Sequence, residues 1–187
     1  EALAACGVLL LLIRRSRPSL EPRQALLTLG LLLLVQGFKL WLGSAASPLA
    51  LLVPATLLLA QGLGTTAGLA WVAVASLLWP LPLAPFNDQR VLVAALVASI
   101  TAVLAGRQRS RAQLLQLTLF IPLGALTAEW LLLQWAAAQA EGNGLLPIGA
   151  DLPGEALLLA GLLLGVLLIS PLLESFFDLL TRTRLLE

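Results

Sequence analysis

Two ionisable residues, Lys39 and Glu129, stand inside otherwise apolar runs of this 187-residue chain. Little else in the sequence offers chemistry. There is no histidine and one cysteine, Cys6, which excludes a Ser-His-Asp triad, a Cys-His pair, a His-containing metal site and a Cys-rich zinc site. Carboxylate chemistry remains. Because Glu129 is the one acid deep in an apolar segment, a buried carboxylate pair is not expected, and the chain is expected to be no enzyme and to hold no cofactor or metal. Gln36, Gln61, Gln116 and Gln134 add hydrogen-bonding capacity that could line a small polar cavity with Lys39 and Glu129. A solitary Cys6 in an apolar run forms no disulfide within the chain and reads as a packing or lipid-facing residue.

The elements that must position these groups follow from composition. Hydrophobic residues make up 59% of the chain and charged ones 11%, with a mean hydropathy of +0.97. A soluble domain carries about 25% charged residues, so the chain is a membrane protein. A net charge of +1 with no clustered basic face excludes a nucleic-acid partner. Gly, Pro and charge clusters punctuate spans near 2–13, 24–42, 48–62, 65–81, 91–106, 112–138 and 156–177. The expected fold is therefore an all-α, polytopic bundle of about seven transmembrane helices. At 1.5 Å per residue the first span is too short to cross a bilayer, and it is expected to be truncated at its outer end.

Arg14, Arg15, Arg17 and Arg23 fill the first connection, Arg107, Arg109 and Arg111 the fifth, and Arg182 and Arg184 follow the last span. By the positive-inside rule these are cytoplasmic, so the N-terminus lies outside and the C-terminus inside. Trp41, Trp79 and Trp135 then fall near outer ends, where an amphipathic ring favours the interface. Lys39 and Glu129 both map to outer halves of their helices. They either pair, or Lys39 snorkels to the headgroups. Gly161 and Gly165 form a GxxxG, and Ala95 with Ser99, and Ala98 with Ala102, share i, i+4 spacing. Such small faces admit close helix contact. A homodimer seam through Gly161 and Gly165 competes with packing inside the chain. Pro54, Pro122 and Pro171 sit inside or near spans, where each costs a backbone hydrogen bond.

"LVPATLLLAQGL" (52–63), "VLVAALVASITAVLAGRQRSRAQLL" (91–115) and "ISPLLESFFDLLTRTRLLE" (169–187) resemble the membrane region of bacterial seven-transmembrane receptors with an intracellular HD hydrolase domain. The resemblance runs from about residue 8 to the end and is most specific at the last stretch. There Pro171, Glu174, Phe176, Phe177, Arg184, Leu185, Leu186 and Glu187 look like the family's connector, as does Pro54 in the third span. Leu173 with Phe177, and Phe176 with Leu180, would form an apolar stripe, and Glu174 with Asp178 an acidic one.

The resemblance implies a seven-helix domain over 1–177 and a cytoplasmic connector over 178–187. An extracellular domain and an HD hydrolase, absent from this chain, would complete it. That hydrolase would cleave cyclic di-AMP with metal ions on His and Asp ligands, in the inner membrane of a bacterium. The implied partners are the lipid bilayer, the protein's own extracellular and HD domains, and a second copy in a homodimer. The resemblance thus implies a transmembrane relay that passes a signal to the hydrolase, and two other readings stand beside it: a structural anchor or assembly subunit, and a small-solute transporter or channel using Glu129 and Lys39.

Overall fold

Leu, Ala and Val dominate the chain, and where no water reaches the backbone such runs satisfy their N–H and C=O groups by coiling on themselves. The computed structural model describes residues 2–16, 22–42, 47–79, 87–107, 111–139 and 151–177. These form seven helices, with no strand among the described residues: α1 (Ala2–Ser16), α2 (Pro22–Leu42), α3 (Pro48–Leu63), α4 (Thr65–Leu77), α5 (Asn87–Arg107), α6 (Arg111–Gln139) and α7 (Asp151–Phe177).

Helix α3 is the axis of the bundle. Its residues are nearly all buried, and α2, α4, α5 and α7 pack around it. Its start is written in "SPLA". Ser47 is extended, its hydroxyl accepts from Ala50 N at 3.5 Å, and Pro48 fills the first helical position, where a missing N–H costs nothing. Its end is Gly64, at φ 90° and ψ 169°, a region that side chains other than hydrogen rarely allow. The Gly64 N–H still reaches Ala60 O at 3.1 Å, and its carbonyl accepts from Gly68 N at 3.2 Å, so one residue both closes α3 and starts α4. That tight turn lays the two helices antiparallel.

Close packing falls where the chain has no side chain to spare. A methyl group at Gly68 would stand 3.2 Å from the Cβ atoms of both Ala60 and Ala102, which places α4 hard against α3 and α5. Ala94, Ala98, Ala102 and Ala105 line the buried side of α5. At Gly106 an added Cβ would lie 2.7 Å from Cγ2 of Thr65, tying the end of α5 to the start of α4. Outward faces are apolar as well: Leu11, Leu26, Leu33, Leu96, Ile100, Leu119, Phe120, Leu157 and Leu168 are all exposed. A surface of that kind suits lipid rather than water.

Helix ends depart from the expected spans. Helix α4 stops at Leu77, short of 81, because Pro80 disfavours helical backbone at the residue before it, and Trp79 leaves the helix. Helices α5 and α7 begin inside segments expected as loops, at Asn87 and Asp151. Pro153 does not prevent this. It is the third residue of α7, where its missing N–H is among the four a helix leaves unpaired in any case. Two helices are long and apolar enough to cross a membrane by themselves, α2 and the part of α7 from Gly154 to Pro171. The apolar runs of α3, α4, α5 and α6 are shorter.

Candidate functional site

The polar groups of the bundle gather at one end, where α2, α4 and α6 finish and α5 and α7 begin. Two centres form there. In the first, Lys39 projects from the last turn of α2, is only 5% exposed, and donates from Nζ to the Leu78 carbonyl at 3.0 Å. That carbonyl follows the last turn of α4, where a helix presents unpaired acceptors and partial negative charge. The same ammonium stands 5.4 Å from the centroid of the Trp79 ring, whose π face adds a second attraction. Lys39 does not snorkel. The reason is that Pro80 ends α4 early and leaves a bare carbonyl and an aromatic face within its reach.

Trp79 is correspondingly buried, at 2% exposure, rather than lying at an interface. Trp41 and Trp135 are exposed on the ends of α2 and α6, and Phe38 meets Trp41 edge to face at 6.3 Å.

The second centre joins three helices. Arg90 Nη1 in the first turn of α5 lies 3.9 Å from Glu155 Oε1 in the first turns of α7. The Glu129 carboxyl, from α6 and 5% exposed, has Glu155 and Arg90 as its charged neighbours. Glu155 is only half-buried, so Glu129 is the one buried acid among the described residues. Glu155 was placed in a loop; because α7 starts at Asp151, it sits instead on a helix packed against α6. The early helix start was the missed signal. "ADLPGE" carries Asp ahead of a Pro in the first turn, which is a helix-start pattern.

Lys39 and Glu129 therefore serve different centres: Lys39 bonds the end of α4, and Glu129 faces Glu155. The glutamines do not converge. Gln36 and Gln61 each bury an Nε2 without a partner, near opposite ends of the bundle, while Gln116 is exposed. Gln134 is half-buried and engaged. Gly161 is exposed and Gly165 half-buried, and a methyl group at either meets nothing within 4 Å, so neither makes a close contact among the described residues. Ala95 is half-buried against the core, and Ser99 turns its hydroxyl back onto Ala95 O at 2.7 Å. Cys6 is half-buried and packs against the core.

Pro171 lies inside α7, exposed. It cannot donate to Leu167 O, and the Ser170 hydroxyl does so instead at 3.0 Å. The helix runs on through Glu174, Phe176 and Phe177, whose side chains lie outside the described set, as does Arg184 altogether. Among the described residues no group of three or more His, Cys, Asp or Glu could hold a metal ion.

No curated protein and no solved structure is detectably similar to the chain. A family model does match, over residues 1–181, and its description is a seven-transmembrane receptor with an intracellular HD hydrolase. Seven helices, an outward surface of leucine and an unbroken last helix leading toward the C-terminus agree with that match. The chain belongs to the family of seven-transmembrane receptors with intracellular HD hydrolase, of which it is the membrane receptor region.

Proposed function

We propose that the chain is the transmembrane relay of an HD-type cyclic di-AMP phosphodiesterase in a bacterial inner membrane, passing a signal to a cytoplasmic hydrolase domain. The family match over residues 1–181 carries this reading. Residues 1–177 form the seven-span domain, and 178–187 the connector to the hydrolase, whose His and Asp residues would hold the metal ions. The Arg-rich connections face the cytoplasm, so the end bearing Lys39 and Glu129 faces outward. Shorter apolar helices span by packing on one another at the core, with α3 nearly all buried. Signalling consists of a shift between two arrangements of the helices, read out where α7 leaves the membrane.

The test uses the full protein in liposomes. Metal-dependent hydrolysis of cyclic di-AMP is expected, and one alanine inserted after Phe177 is expected to change it severalfold, because it turns the exit by about 100°. Another nucleotide as the sole substrate would overturn the cyclic di-AMP assignment. Hydrolysis indifferent to the insertion would overturn the relay.

A further inference from the structure

We propose that Arg14 and Arg15 of α1 and Arg23 of α2, beside the start of α4, bind the phosphate of an acidic phospholipid. The three arginines are exposed at one end of the bundle, in the last turn of α1 and the first turn of α2. Helices α1 and α2 are joined by residues 17–21 and both pack on α4, whose first turn lies at the same end. The two acids whose side chains are described, Glu129 and Glu155, lie at the opposite end. Glu21 lies outside the described residues, as does the side chain of Glu174.

The helix starts at this end add to the same positive field. A start attracts negative charge because its first N–H groups have no partner within the helix. At the opposite end the chain supplies acids there, Asp88 in the first turn of α5 and Asp151 in that of α7. At the arginine end α2, α4 and α6 all begin without an acid, and Gly64 offers α4 no side-chain cap. Topology asks only for basic connections; it does not ask that helix starts lack acids. An anion from outside the chain answers both features. The neighbouring side chains say which anion. Exposed Leu11 and Leu12 stand three residues before Arg14 and Arg15 on α1, and exposed Leu26 three residues after Arg23 on α2, so each guanidinium caps an outward apolar face. A phospholipid sets its phosphate at that level with its acyl chains alongside the leucines. Guanidinium groups hold phosphate through paired N–H donors.

The site is independent of the proposed relay and of which way the bundle faces. To test it, the full protein in detergent is offered phosphatidylglycerol, phosphatidylcholine with the same acyl chains, or inorganic phosphate, and bound lipid is counted by native mass spectrometry. Phosphatidylglycerol is expected to stay bound where phosphatidylcholine is stripped, and inorganic phosphate is expected not to displace it. Each arginine near a membrane surface is worth about fivefold in such binding, so Arg14→Gln combined with Arg15→Gln is expected to weaken retention roughly 25-fold. Arg14→Lys combined with Arg15→Lys keeps the charge that insertion needs but cannot hold phosphate bidentately, and a severalfold loss is expected. The lysine variant decides the matter if the glutamine variant fails to fold. Equal retention of the two lipids, displacement by inorganic phosphate, or retention unchanged in either variant overturns the site.

Discussion

Lys39 shows how one residue's role is decided by its neighbours. An ammonium on an apolar helix has two outlets, the headgroups or a partner inside, and the bare Leu78 carbonyl beside the Trp79 ring supplies the second. A charge-assisted hydrogen bond is worth roughly 1.5–3 kcal/mol. Lys39→Ala is therefore expected to lower stability by about 2 kcal/mol, measured by denaturant unfolding in detergent. Arg23→Ala, at an exposed site near the start of α2, is expected to leave stability unchanged. Equal losses in the two variants would mean that the Leu78 contact contributes nothing. None of this was legible from Lys39 alone, because the acceptor lies 39 residues away and exists only where Pro80 interrupts α4. Glu129 is similar. Its depth could be read from the apolar run around it, while its neighbour Glu155 required knowing that α7 begins at Asp151.

At the scale of elements, glycines divide into those that set the bundle and those that do not. Gly64 must adopt a backbone that costs other residues about 1–3 kcal/mol, so Gly64→Ala is expected to lower unfolding stability by that amount. Gly68→Leu forces a side chain between Ala60 and Ala102 and should prevent α4 from docking, read as loss of the folded peak in size-exclusion chromatography. Gly161→Leu meets open space and should elute as the parent does. If Gly161→Leu alone collapses, the packing assigned to α4 is wrong. The helices themselves were plain in the sequence, since long runs of Leu and Ala between Pro, Gly and Arg leave few alternatives. Which glycines pack was not. GxxxG occurs both at 161–165 and at 64–68, so spacing does not tell them apart, and Gly68 matters because the Gly64 turn brings α4 onto α3 and α5.

For the whole molecule, the proposed relay requires one direction of the bundle in the membrane. Both polar centres lie at the end opposite Arg14, Arg15 and the Gly106–Thr65 contact, so one orientation puts all of the buried charge on the signal-facing side and the exit of α7 on the other. The orientation proposed above rests on the arginine distribution, because moving basic loops across a membrane is disfavoured. Single cysteines in a Cys6→Ser background test it directly. Asn143→Cys, in the connection between α6 and α7, is expected to react with a membrane-impermeant maleimide in intact cells. Arg109→Cys, between α5 and α6, is expected to react only after the membrane is opened. The reverse pattern would place Phe177 outside, beyond reach of any cytoplasmic hydrolase, and would end the relay reading.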